Sequence, residues 1–119
     1  MAHPSTEPRK WDRVIKRGTD HSWAVRRVGE DGVPTIPDAA AAQVRPYHGG
    51  PVWVECAINL DPVDGWITIG IPRALTESAE WDVRSTGLWD LEVDVAGART
   101  RWVYGDIMVT QDVTRTDVV

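Results

Sequence analysis

The chain has 119 residues, the length of one domain, and its 42% hydrophobic and 26% charged content excludes wholesale disorder and fibrous repeats. Thirteen Lys and Arg against eighteen Asp and Glu leave a net charge of −5, which argues against a generic nucleic-acid binder. The single cysteine, Cys56, excludes an internal disulfide framework and a cysteine-based zinc cluster.

Residues 1–10 hold two prolines and small polar groups with no period, which predicts a flexible arm. They contain no apolar core, so no secretory leader is expected, and no apolar run in the chain is long enough to span a bilayer. A β-sandwich domain is expected over residues 11–115, followed by a short tail at 116–119. Residues 13–17 and 22–28 read as strands, and Asp31-Gly32 marks a tight turn between residues 29 and 32. Two prolines keep residues 33–38 out of any helix interior. The alanines of 39–42 have helix propensity, but Gln43-Val44-Arg45-Pro46 does not sustain it, and the region is read as extended.

After the break at His48-Gly49-Gly50-Pro51, apolar residues alternate at Val52, Val54, Cys56, Ile58 and Leu60. That period predicts one strand with a buried face. A turn at 61–65 leads to a returning strand at 66–71. Residues 72–81, opening on Pro72, form the best helical stretch in the chain. Trp89, Leu91, Val93 and Val95 then alternate with Asp90, Glu92 and Asp94, and Trp102 is expected beside them in the core. Residues 100–113 read as one bent or two short strands, with a bulge at Gly105-Asp106. Short strands with turns every eight to twelve residues predict an all-β fold. The expectation is a small antiparallel β-sandwich, immunoglobulin-like or jelly-roll-like, with one short helix.

The order of several of these pieces is familiar. Trp66-Ile67-Thr68-Ile69, a short helix with Leu75 and Thr76, and Gly87-Leu88-Trp89-Asp90-Leu91-Glu92-Val93 follow one another. Gly97, Trp102 and Gly105 come next, and Val109-Thr110-Gln111-Asp112-Val113-Thr114-Arg115 closes the series. Arg17-Gly18-Thr19-Asp20 and Asp31-Gly32-Val33-Pro34 suit an opening hairpin. This order resembles the small β-sandwich domains of tailed-phage structural proteins, in particular the LtfC-like family of actinobacterial phages. The N-terminal domains of baseplate upper proteins are similar. The resemblance implies a non-enzymatic virion component acting by multicopy assembly, most often a minor tail, tail-tip or baseplate protein. Its partners would be copies of itself and other virion proteins, with a host-surface glycan reached through a neighbouring protein. Capsid decoration or a head fibre is the related alternative.

Seven Trp, two Tyr and no Phe set the remaining expectations, because Trp keeps an N–H that suits half-buried and interface positions. Basic residues crowd the first quarter of the chain. The expected protein interface combines Trp11, Arg13, Arg17, Arg26, Arg27, Trp53, Trp66 and Trp81 with Val118 and Val119, whose strand propensity suits addition to a neighbour's sheet edge. A carbohydrate-binding module, with Trp53, Trp66 and Trp81 stacking on sugar rings, is the alternative from another class. No catalytic residue, metal or cofactor is expected. The aspartates Asp61, Asp64, Asp82, Asp90 and Asp94 lack a calcium-loop spacing. Asp90, Glu92 and Asp94 share one outward strand face rather than flanking a cleft. Ser22 beside His21, and Ser78 with His48, lack the glycines of a nucleophile elbow.

Overall fold

The computed structural model describes residues 7–111. Nine strands occur among them: β1 (Arg9–Lys10), β2 (Arg13–Lys16), β3 (His21–Val25), β4 (Ala39–Arg45), β5 (Val54–Glu55), β6 (Ala57–Leu60), β7 (Ile67–Ile71), β8 (Thr86–Val95) and β9 (Ala98–Thr110). They form two sheets that close over one core, so the all-β sandwich is present. The larger sheet has the order β1-β9-β8-β4-β5, with β2 also on β9, and the smaller has the order β3-β7-β6. No helix among the described residues is long and apolar enough to cross a membrane.

Strand β8 follows the period-two reading closely. Trp89, Leu91 and Val93 are buried, while Leu88, Asp90, Glu92 and Asp94 face outward. Its hairpin partner β9 departs from the expected pattern. Leu91 pairs with Val103 but Glu92 pairs with Arg101, so Trp102 is the extra residue of a bulge. The bulge shifts parity by one, which lets the consecutive Trp102 and Val103 both face the core. Gly105-Asp106, where the break was expected, continues the ladder in register. Gly105 serves a different end: a Cβ there would lie 2.1 Å from the Trp11 carbonyl oxygen. Glycine is present because another backbone lies against it.

That backbone belongs to the N-terminal segment, which runs parallel to β9. Arg9 and Lys10 pair with Val103 and Tyr104, and Arg13–Lys16 pair with Ile107–Thr110 in the same register. Arg9 and Lys10, expected within the arm, are thus a strand of the sheet. Between β1 and β2 the Trp11 N–H donates to the Tyr104 carbonyl at 2.8 Å. The Asp106 N–H donates to Asp12 Oδ1 at 2.8 Å, and the Trp89 Nε1–H donates to the Trp11 carbonyl at 2.7 Å. Ile15, fully buried, anchors the segment in the core.

Three other expectations change. Residues 52–60 do not form one strand. Val54–Glu55 pairs with β4, Ala57–Leu60 pairs with β7, and the chain passes between the sheets at Cys56, whose N–H donates to Ala42 at 2.9 Å. Val54 and Cys56 stay buried, but Val52 precedes the crossing and is exposed. The turn at residues 17–20 is not a hairpin either, because β2 and β3 lie in different sheets.

Residues 72–81 hold no α-helix but two 3₁₀ turns, Arg73–Leu75 and Ala79–Val83. Ser78 between them is extended, and Arg17 Nη2 draws the Glu77 and Ser78 carbonyls to itself at 3.0 and 3.1 Å. The Ser78 carbonyl also accepts the Trp81 N–H of the second turn at 3.1 Å, and the two short turns bury Thr76 and Trp81. In the opposite direction, Ala39–Ala42 forsakes its helix propensity because β4 pairs with β8 along its whole length.

Gly105→Ala is expected to destabilise the domain by about 1–3 kcal/mol, since the added methyl meets backbone and not a yielding side chain. Trp89→Phe keeps an aromatic ring but removes the indole N–H and orphans the Trp11 carbonyl, at a cost of at least about 1–3 kcal/mol. Urea unfolding checks both, and unchanged midpoints would remove this contact from the stabilising interactions.

Candidate functional site

The residues expected at a protein interface turn out to have partners within the chain. The Arg13 guanidinium lies 4.6 Å from the Trp11 ring centroid and 5.1 Å from that of Trp23. Both of these rings meet Trp89 edge-on, at 6.3 and 5.4 Å. Arg27 lies 4.6 Å over Trp102, and burial followed by the nearby charge of Arg9 lowers its pKa. Arg17 holds the loop of residues 77–82 through Asp82 and the two carbonyls named above. Trp53 and Trp81 meet edge-on at 5.8 Å, with Arg84 stacked on both at 4.7 and 4.6 Å.

Trp81 is only 1% exposed and Trp53 half-buried, so these two with Trp66 do not make a sugar-stacking platform. The physical reason is that each indole needs a cover for its face, and a neighbouring Arg supplies it. Arg26 and Trp66 are the exception: they stack at 4.6 Å yet both remain exposed. Val118 and Val119 lie outside the described residues.

One concave feature lined by Arg26 and Arg27 borders this region, and another lies on the outer face of the larger sheet. The registers align Glu55, Gln43, Asp90, Tyr104 and Lys10 in one row across β5, β4, β8, β9 and β1. Neighbouring rows hold Ala41, Glu92 and Arg101 on one side, and Arg45, Leu88 and Asp106 on the other. Together with Tyr47, His48 and Gly49 from the loop after β4, most of these residues line a groove of about 610 Å³. Sequence periodicity placed Asp90 and Glu92 outward but could not reveal the groove, because it needs Gln43 beside Asp90 and Lys10 beside Tyr104, pairs from distant parts of the chain.

The groove's charges are paired. Arg101 Nε lies 3.4 Å from Asp90 Oδ2, Arg99 Nη1 lies 3.8 Å from Glu92 Oε2, and Lys10 Nζ lies 3.5 Å from Asp106 Oδ2. Arg45 donates to Gln43 Oε1 at 2.6 Å and to the Gly50 carbonyl, and Gln43 Nε2 donates to Glu55 at 2.6 Å. Burial raises the Asp90 carboxyl above the usual carboxylate range, against the opposing pull of Arg101. At the rim, the two-pronged hydrogen bond from Arg99 holds Asp94 below that range. The arrangement presents donors and acceptors side by side on a rigid floor.

The remaining candidates serve the fold. His21 Nε2 accepts the Lys16 N–H at 2.9 Å inside the sheet-crossing turn. Asp61 accepts the Val63 and Asp64 N–H groups at 2.9 and 3.1 Å, which holds its pKa low and shapes the turn before β7. Among the described residues no three His, Cys, Asp or Glu side chains gather as metal ligands do. No family model and no curated protein matches the sequence.

Cys56 is buried, and loss of hydration with the adjacent Glu55 charge pushes its thiol from 9.0 up to about 12. The native protein at pH 8 is expected to resist an aromatic disulfide reagent until it is unfolded. Because the folded pKa is raised, the thiol's contribution is complete below pH 9 and is lost as pH rises towards 12. Cys56→Ala should flatten that part of the alkaline stability profile; an unchanged profile would exclude the thiol as its cause.

Proposed function

We propose that this chain is a non-enzymatic virion structural protein of a tailed phage, a minor tail, tail-tip or baseplate component that works by multicopy assembly. The likeness in element order to tailed-phage sandwich domains suggests the class. The observation that carries the assembly reading is the character of the smaller sheet. Its outer face consists of two rows, Ser22–Gly70–Ala57 and Ala24–Thr68–Asn59, in which no side chain is charged and none is larger than Asn. Its edge strand β6, Ala57–Leu60, carries no charge, proline or bulge. Edge strands that must remain single are normally kept short or protected by one of those devices, and of these only shortness applies to β6.

The magnitudes favour many weak contacts over one strong one. A four-residue edge runs only about 13 Å, well below what a stable interface of ~800 Å² per partner requires. Edge and flat face together enlarge the contact, and closed symmetry multiplies it. The larger sheet's outer face, crowded with ion pairs, is poorly suited to the same packing.

The full chain is expected to show concentration-dependent association in sedimentation velocity. Ala57→Lys, at an exposed position, should shift it to monomer without lowering its melting temperature and should reduce its incorporation into particles. A chain that remains monomeric at every concentration and is absent from assembled particles would overturn this reading.

A further inference from the structure

We propose that the groove across the outer face of the larger sheet is a binding site for a neutral oligosaccharide. The inference goes beyond the assembly reading and is independent of it, since it uses the opposite face of the sandwich.

The first argument is shape. The groove of about 610 Å³ lies within the ~300–1,000 Å³ typical of small-molecule sites. Its concavity arises where small residues, Ala41 and Gly49, sit among long ones. Its floor is hydrogen-bonded strand, so the polar groups of the central row keep fixed spacings.

The second argument is charge. Lys10, Arg99 and Arg101 each have a carboxylate partner, and Arg45 is engaged by Gln43 and the Gly50 carbonyl. A phosphate, sulfate or nucleic-acid strand would have to displace these partners. A sugar hydroxyl need not, because it donates to a carboxylate and accepts from a guanidinium or amide in the same contact. Asp90–Arg101 and Gln43–Arg45 present such donor and acceptor groups side by side, in adjacent rows.

The third argument is the pair of tyrosines. Tyr104, 39% exposed, stands beside Asp90 in the central row, and Tyr47, 62% exposed, rises from the loop after β4. The Tyr47 ring is close to Gly50, where a Cβ would come within 3.0 Å of it. An exposed aromatic ring beside fixed polar groups suits a pyranose, whose C–H face is apolar and whose rim is polar.

A glycan array probed with the labelled full chain tests the idea. It should carry neutral gluco-, galacto- and arabino-oligosaccharides, with sialylated and sulfated glycans as the anionic set. The expected result is binding within the neutral set, followed by titration calorimetry with the strongest neutral oligosaccharide. Tyr104→Ala and Tyr47→Ala should each weaken that binding up to about tenfold at unchanged melting temperature. Asp90→Asn should weaken it as well, whereas Trp66→Ala, away from the groove, should leave it unchanged. The Ala57→Lys variant should bind sugar normally, which separates failure of this proposal from failure of the assembly reading. Absence of neutral binding, binding confined to the anionic set, or binding indifferent to both tyrosine variants would overturn it.

Discussion

The contact on which the architecture depends is small. The Trp11 carbonyl rests against Gly105, where even one methyl would not fit, and accepts the Trp89 indole N–H at 2.7 Å. This stitches residue 11 to residues 89 and 105 and fixes the register of the parallel N-terminal segment on β9. Without it, β9 would expose a long unpaired edge, the feature most prone to indiscriminate pairing. Ile15 would also leave the core. A buried carbonyl without a partner costs about 1–3 kcal/mol, a sizeable share of a small domain's net stability of roughly 5–15 kcal/mol.

The same tryptophans explain the absence of Phe. Phe fills volume without a polar atom, whereas Trp fills more, carries an N–H and offers a face that a cation covers, although the buried Trp23 Nε1 has no hydrogen-bond partner among the described residues. Here Arg13, Arg26, Arg27 and Arg84 cover six of the seven rings, and the seventh, Trp89, donates to a backbone carbonyl. Such stacks contribute about 0.5–1 kcal/mol when exposed and ~2 kcal/mol or more when desolvated. They let a core with two thin layers end in water without exposing bare indole. The basic cluster near the N-terminus is therefore partly an internal cover for these rings.

The two outer faces of the sandwich differ for a reason that lies in the strands. β7 and its neighbours present Ser, Ala, Thr, Gly and Asn outward, an uncharged surface whose hydroxyls and amide need hydrogen-bond partners in any contact that covers it. β8 and β9 present Asp, Glu and Arg, which keep water close and tie the sheet together by cross-strand pairs. The uncharged face and the charged, wet face point in opposite directions on one small domain.

The sequence by itself determined the all-β class, the inward set Trp89, Leu91 and Val93, the turn at Asp31-Gly32, and the outward direction of Asp90, Glu92 and Asp94. All of these follow from period-two alternation and turn chemistry within a few neighbouring residues. It was silent, or misleading, wherever distant segments meet. The sheet crossing at Cys56, the bulge at Trp102, the parallel addition of residues 9–16 and the splitting of residues 72–81 into two 3₁₀ turns were decided by tertiary structure. In each case a long-range partner is in contact where the local preference failed: β4 and β7 competing for residues 54–60, the core claiming both Trp102 and Val103, and Arg17 donating to the Glu77 and Ser78 carbonyls. The groove belongs to that second group, because the row from Glu55 to Lys10 exists only once five strands lie in register.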